Sequence, residues 1–105
     1  MTLFTRIINR DIPADIVYED DHVVAFRDID PKAPVHVLIV PRQEIEGLAS
    51  LPEERDHQHL LNAAKVIAEN LGLSDGYRLV INQGKHGGQT VPHLHLHLMG
   101  GRAMG

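Results

Sequence analysis

The sequence predicts an α+β domain in which a five-stranded antiparallel sheet carries one long helix and one short helix. Its 105 residues and 11.7 kDa suffice for one core of modest size, and we treat residues 1–105 as a single domain. Five short segments rich in β-branched residues alternate with turn signals. A further segment repeats apolar residues at helical spacing, and hairpin-length connections favour an antiparallel sheet.

The short helix and two strands open the chain. Thr2 is a suitable N-cap for a helix over Leu3 to Arg10, with Pro13 just beyond its end. Strands are predicted over Ile16 to Glu19 and Val23 to Asp28, because both segments are rich in β-forming residues and turn-forming aspartates separate them.

The central strand and the long helix follow. Val35 to Val40 is a nearly continuous apolar run, typical of a strand covered on both faces, and Pro41 ends it. Ser50 and Glu53 form a capping-box pattern, which predicts that the long helix starts directly after Ser50. Gly72 supplies the helix stop. One apolar stripe along this helix consists of Leu60, Ala64, Ile67 and Leu71.

Two strands and a glycine-rich loop complete the sheet. Tyr77 to Asn82 is predicted as a strand, Gln83 to Pro92 as the loop, and His93 to Met99 as the last strand. Gly100 and Gly101 close that strand.

Composition limits the function classes. Ten Lys and Arg stand against 14 Asp and Glu, and the sequence pI is about 6.0, so we expect no nucleic-acid partner. The segment over residues 76–105 contains three basic residues and no acid, which suits a bound anion. Without Cys, disulfides and cysteine metal sites are excluded. Because no leader or membrane-length apolar run is visible, we expect a cytoplasmic protein without membrane association.

Three histidines alternate with leucines near the end of the chain. In a strand, His93, His95 and His97 would share one face, whereas the intervening leucines would face the core under the long helix. Solvated surface histidines would not need this strict spacing. A metal site fits poorly, because residues four apart on one strand diverge by roughly 13 Å.

Catalysis by an imidazole is the third interpretation. Charged imidazoles about 7 Å apart repel by roughly 2 kcal/mol at an effective dielectric of 20. The middle residue, His95, feels both neighbours and is therefore expected to be neutral and nucleophilic.

The loop before these histidines has the composition of an anion-binding segment. Gly87 and Gly88 permit N–H groups to converge, and Gln89 and Thr90 add donors, although an ordinary hairpin loop has the same composition. His36 lies within the apolar central strand and is either a satisfied core histidine or, as we prefer, a contact of the histidine face.

These features resemble the histidine triad (HIT) superfamily, and most closely its Hint branch of purine nucleoside phosphoramidases. His93 to Met99 matches the signature in which three histidines alternate with apolar residues. The similarity extends over nearly the whole chain, through Leu3-Phe4, Ile12-Pro13, Val24 to Ile29, Ala33 to His36, Val40-Pro41, Gly87 to Gln89 and Gly100 to Arg102.

The resemblance implies roles for particular residues. His95 corresponds to the nucleophile that forms a nucleotidyl-histidine, His97 and His36 to flanking histidines, and His93 to the residue that orients the nucleophile. Asp28 corresponds to the ribose-binding acid. The polar positions beside the phosphate are Asn82, Gly88, Gln89 and Thr90, of which Thr90 or His97 would assist the leaving group. The positions around the base are Leu3, Phe4, Ile7, Phe26, Ile29 and Leu38.

The implied function is hydrolysis at the α-phosphorus of nucleoside 5′-phosphoramidates, with a purine nucleotide (an AMP or GMP moiety) as the bound group and neither cofactor nor metal. A Fhit-like dinucleoside polyphosphate hydrolase is the alternative enzyme. A nucleotide-binding adaptor and a histidine-based metal-binding module are alternatives from other classes. Val23 stands where some relatives carry Cys, so cysteine-assisted metal binding does not transfer to this chain. The sequence ends at Gly105, where the branch continues for several residues, and this difference leaves the leaving-group preference open.

A symmetric homodimer is also expected. The strand over Tyr77 to Asn82 contains three successive apolar residues and would leave an unpaired edge. The long helix has more apolar width than one small sheet covers, since Leu61, Ala63 and Ala68 flank its main stripe. The resemblance implies the same assembly, because Hint proteins pair across a two-fold axis.

Overall fold

A computed structural model describes all residues 1–105, and its centre is one sheet of five strands. The strands are β1 (Ile16–Glu19), β2 (Val23–Arg27), β3 (Val35–Pro41), β4 (Tyr77–Ile81) and β5 (Leu96–Gly100). The helices are α1 (Leu3–Ile8) and α2 (His57–Asn70). The spatial order is β1-β2-β3-β5-β4 and every pair is antiparallel. The predicted fold class is therefore confirmed.

The short helix begins as predicted and ends earlier. The Thr2 hydroxyl accepts the N–H of Thr5 at 3.1 Å, which is the expected N-cap bond. The helix ends at Ile8 rather than Arg10, because Arg10 adopts a left-handed conformation with φ of 64°. The N–H groups of Arg10 and Asp11 then bond back to Ile7 and Arg6.

The predicted start of the long helix is wrong. Ser50 lies in a short 3₁₀ turn, and α2 begins seven positions later at His57. Leu51 is buried, so the chain turns to place this side chain in the core instead of continuing as a helix. The stop is as predicted: Gly72 has φ of 74°, and Leu73 donates back to the carbonyl of Ala68.

The sheet separates two apolar clusters. One lies under α2 and includes Leu60, Ala64, Ile67, Val37, Ile39, Leu94, Leu96 and Leu98. The other lies on the opposite face beside α1 and consists of Phe4, Ile7, Val24, Phe26, Leu38 and Val40. The leucines between the histidines therefore face α2, as the alternating pattern predicts.

The last strand is shorter than predicted, since β5 begins at Leu96 and residues 93–95 precede it. The pairing of β3 with β5 ends at Ile39 opposite Leu96. Before that point the chain bonds elsewhere, because the N–H of Leu94 donates to the carbonyl of Ile45 at 2.7 Å. No helix has the length and apolar character needed to cross a bilayer.

Candidate active site

His36 and His97 lie side by side on neighbouring strands. His97 is opposite Leu38 in the register of β3 and β5, which places it diagonally across from His36. The Nε2 atom of His36 lies 3.0 Å from Nδ1 of His97. The preferred interpretation of His36, a contact of the histidine face, is therefore confirmed.

The backbone determines which nitrogens of this pair carry protons. The N–H of Lys32 donates to Nδ1 of His36 at 3.0 Å, so a neutral His36 carries its proton on Nε2. That proton is donated to Nδ1 of His97. A neutral His97 consequently carries its own proton on Nε2 and offers a donor there.

Asp28 adds a carboxylate to the pair. Its Oδ2 lies 3.5 Å from Nε2 of His36, whose side chain is only 3% exposed. Its Oδ1 accepts the N–H of Asp30 at 2.9 Å, which fixes the carboxylate at the end of β2. The sequence offered no sign of this contact, because the two residues meet only through the β2–β3 pairing.

His95 is held by the backbone before it. Its Nδ1 lies 2.7 Å from the carbonyl oxygen of His93, and a carbonyl only accepts, so Nδ1 carries a proton. In the neutral ring Nε2 is then the nitrogen with a free lone pair. The rings of His95 and His97 lie edge to face with centroids 5.1 Å apart. A nitrogen with a free lone pair and a nitrogen with a donor N–H thus lie on adjacent rings.

His93 is fully buried and has a partner on both nitrogens. Its Nε2 donates to the carbonyl of Pro41 at 2.9 Å, and its Nδ1 accepts the hydroxyl proton of Thr2 at 2.9 Å. The Thr5 hydroxyl donates to Glu44 at 2.7 Å and braces the same turn. The sequence marked Thr2 only as a helix cap, and its second role depends on the docking of α1.

Burial affects the charge of two of these rings. It lowers the pKa of His93, against the opposing influence of the Pro41 carbonyl and Glu44. Burial also lowers the pKa of His97, and the neighbouring His95 and His36 lower it further. Both rings therefore favour the neutral form that the hydrogen bonds require.

The backbone N–H groups of the glycine loop form hydrogen bonds within the loop. The N–H groups of Gly87 and Gly88 bond to the carbonyls of Gly84 and Lys85, so they do not form the expected anion nest. Gln89 ties the loop together through the N–H of Gly84 and the carbonyls of Glu46 and Val91.

Asn82 and Thr90 differ in how they are used. The Asn82 amide donates to the Gly87 carbonyl at 2.8 Å and braces the loop. Thr90 is exposed and makes no hydrogen bond within the protein. Of the predicted donors in this loop, the threonine is the freest to meet a ligand.

The predicted base-contacting residues divide into two groups. Phe4, Ile7, Phe26 and Leu38 are buried in the cluster beside α1, and the Phe4 ring lies 5.1 Å from that of His95. Leu3 is half exposed and Ile29 fully exposed. The two arginines of the last segment bind elsewhere: Arg78 donates to the carbonyls of Met104 and Gly105, and Arg102 donates to those of Ala103 and Lys32.

Comparisons with known proteins find one family over nearly the whole chain. A family model described as the HIT domain matches residues 9–104. The purine nucleoside phosphoramidase of Escherichia coli strain K12 is 49% identical over 107 aligned positions, which cover 99% of this chain and 90% of that protein. The 14 kDa zinc-binding protein of Zea mays is 52% identical over 108 positions, covering 98% of this chain and 84% of that protein. The structure of a HIT family hydrolase from Clostridium thermocellum has a TM-score of 0.94 and 46% identity, with 99% of this chain and 93% of that chain covered.

Proposed function

The chain belongs to the HIT domain family, and on that premise we propose that it is a hydrolase that cleaves nucleoside 5′-phosphoramidates at the α-phosphorus through a nucleotidyl-histidine. The observation that carries the proposal is the hydrogen bond from Nδ1 of His95 to the carbonyl of His93. This bond leaves Nε2 as the nucleophile of a neutral imidazole. The phosphoramidase relative of Escherichia coli supports the choice of substrate class.

In the first step Nε2 of His95 attacks phosphorus and the P–N bond to the leaving amine breaks. The amine must gain a proton as it departs, and the Nε2–H of His97, whose position the His36 contact fixes, relays one to it while a water molecule replaces that proton, so no imidazolate forms. The exposed Thr90 hydroxyl assists at the same side. The hydroxide left by this water attacks the nucleotidyl-imidazole in the second step, which releases the nucleoside monophosphate and returns His95 to its neutral form.

Charge on the phosphoryl oxygens is balanced by the Nε2–H of His97 and the Thr90 hydroxyl, because the ring N–H groups of His36 and His95 are already donated within the protein. Those internal bonds orient the rings before substrate arrives, so little reorganisation is needed in the transition state. His93 supports the attack indirectly, because its own two bonds fix the carbonyl that orients His95.

The nucleoside is expected to lie across the face beside α1. Asp28 is one-fifth exposed and retains acceptor capacity for the ribose hydroxyls. The buried side chains of Phe4, Phe26 and Leu38 would form one wall of the purine site. The exposed Leu3 and Ile29 would pack on the other side of the base, and this contact would account for their exposure. We expect an AMP or GMP moiety as the bound group.

Turnover of adenosine 5′-phosphoramidate in the presence of EDTA tests the proposal, with release of AMP and ammonia as the expected result. Radiolabelled nucleotide trapped on the protein should be stable to base and labile to acid, as a P–N bond to histidine is, and should map to His95. Binding of AMP without turnover would identify an adaptor instead. Faster turnover of a dinucleoside polyphosphate than of the phosphoramidate would favour the Fhit-like alternative.

A metal-binding function is the second candidate, and a specific contact favours it. The donor atoms of Asp28, His36 and His97 lie within 4.8 Å of one another, a set that suits a zinc ion. The zinc-binding relative from Zea mays points to the same class. If dialysis against EDTA abolished turnover and one equivalent of zinc restored it, this second function would replace the metal-independent reaction.

We also propose a homodimer formed along β4 and α2. The β4 side chains Tyr77, Leu79 and Ile81 are exposed, as are Leu61 and Val66 on α2. Pairing of two copies would cover these apolar residues and the open edge of β4. Sedimentation at micromolar concentration should give twice the mass of 11.7 kDa. A monomer that persists as concentration rises would contradict this assembly.

A further inference from the structure

A second histidine cluster lies where the β1–β2 turn meets the start of α2. It consists of His22 in the turn, Asp56 before the helix and His59 in its first turn. One ligand atom from each residue lies within 4.8 Å of the others. The proposed hydrolysis uses none of these side chains.

Asp56 is the unusual member of this cluster. The residue is only 8% exposed, yet its carboxylate makes no hydrogen bond and does not cap the helix that follows it. Its ion-pair contact is Nδ1 of His22 at 4.0 Å. The side chain is 11% exposed, so the carboxylate oxygens that make no hydrogen bond reach solvent and are open to a cation.

The two imidazoles have unused nitrogens beside this carboxylate. The rings of His22 and His59 stack with centroids 3.6 Å apart and an angle of 3° between their planes. Neither ring makes a hydrogen bond, whereas the active-site rings are fixed by theirs. Two lone-pair nitrogens and one carboxylate oxygen are a common set of zinc ligands.

The backbone holds this set in place. Asp20 accepts the N–H groups of His22 at 2.7 Å and Val23 at 2.9 Å, which makes the turn rigid. The nearby Arg42 directs its guanidinium to Glu19 and to the Asp20 carbonyl, so its charge is paired away from the cluster. The half-exposed His22 side chain makes no hydrogen bond and is free to turn.

We propose that Asp56, His59 and His22 form a binding site for a divalent transition-metal ion such as Zn²⁺. Parallel rings cannot both direct lone pairs at one ion, so His22 leaves the stack and tilts toward the metal. Water completes the tetrahedral coordination. The bound ion then ties the β1–β2 turn to the start of α2, which gives the buried carboxylate its counter-charge.

Zinc titration of the full-length protein against a chromophoric chelator tests the site. Wild-type protein should bind an ion that His22→Gln, His59→Gln and Asp56→Asn each weaken by at least about tenfold. His57→Gln is the matched control, because His57 is exposed on the same helix turn and lies outside the cluster. His22→Gln keeps the test valid if a buried variant fails to fold, since His22 lies in an exposed turn.

A parallel titration separates this site from the donor set at the active site. His97→Gln should leave the affinity of the cluster unchanged. In NMR spectra the ring signals of His22 and His59 should shift with one equivalent of zinc. The proposal is overturned by an absence of saturable binding, by equal affinity of wild type and His22→Gln, or by loss of binding in His97→Gln alone.

Discussion

The two histidine clusters of this chain differ in what holds their rings. In the active site each of four rings has at least one nitrogen in a hydrogen bond with a backbone group or a neighbouring ring. At the β1–β2 turn, His22 and His59 have none, and their rings stack on each other beside the Asp56 carboxylate. Fixed tautomers suit proton transfer, whereas rings without hydrogen bonds keep both nitrogens available to an ion. The two clusters therefore differ in how far the fold assigns the ring protons.

The largest effect should come from His95. His95→Ala removes the nucleophile and should lower kcat by at least about 10³-fold, while AMP affinity stays within about tenfold. His59→Ala, from the other cluster, is the control and should retain wild-type kcat. Steady-state turnover and AMP titration measure both quantities. A His95→Ala variant with more than a tenth of normal turnover would refute the assignment.

His36 is expected to act through His97. His36→Phe removes the proton donated to Nδ1 of His97, and we expect kcat to fall about 10- to 100-fold. The ¹⁵N chemical shifts of the His97 ring should then report a mixture of tautomers in place of one. Unchanged ring shifts together with reduced turnover would assign His36 a purely structural role.

The two acids sharpen the comparison. Asp28→Asn should weaken AMP binding by about 1 to 2 kcal/mol and reduce discrimination between ribose and deoxyribose, because one charged acceptor is lost. Asp56→Asn should leave AMP binding unchanged and weaken zinc binding. Calorimetric titration of each variant with AMP and with zinc measures both affinities. Equal ribose discrimination in Asp28→Asn and wild type would make Asp28 a turn residue.

Loss of the Thr2 hydroxyl, which bonds the buried His93 ring, should lower the free energy of unfolding. Thr2→Val removes the N-cap bond of α1 and the donor to Nδ1 of His93, and should cost about 1 to 2 kcal/mol of unfolding free energy. Thr90→Val is the control, since Thr90 is exposed and unbonded. Urea unfolding measures the difference, and equal stability of both variants would contradict the role of Thr2.

The smallest effect is a pH dependence. Burial lowers the pKa of His97, so the unfolded chain binds more protons than the folded one just below the usual imidazole pKa of about 6.5. Stability should therefore fall from pH 7 toward pH 5. His97→Gln should reduce this slope by a fraction of the about 1.4 kcal/mol per pH unit that a full proton contributes. Identical slopes in urea unfolding would show that His97 does not contribute.

Alternation along the chain predicted much of the fold and of the site. The leucines between the triad histidines pack under α2 because strand-like side-chain directions persist before β5 formally begins. Ser50 and Glu53 matched a local capping pattern, but burial of Leu51 delayed the helix to His57. Local sequence rules fail there because tertiary packing contributes more than one cap.

Contacts between segments distant in the sequence could not be predicted from local sequence patterns. The hydroxyl of Thr2 meets His93 only because α1 docks beside β5. His22, Asp56 and His59 showed no motif, since a turn and a helix start bring them together only in the folded chain. The glycines of the loop, by contrast, signalled a turn correctly, but their N–H groups are consumed by that turn.

The position of β5 has a consequence for folding kinetics. It is the last strand in the chain, yet it lies between β3 and β4, and β4 has no other partner in the sheet. Until β5 inserts, the facing edges of β3 and β4 remain open to other chains, so a chain in that state is exposed to edge-to-edge aggregation. Closing the sheet also joins His36 to His97 across 61 positions, a loop closure of high contact order. The contact between His36 and His97 therefore cannot form before β5 pairs with β3, and a chain without β5 carries open strand edges and lacks that contact.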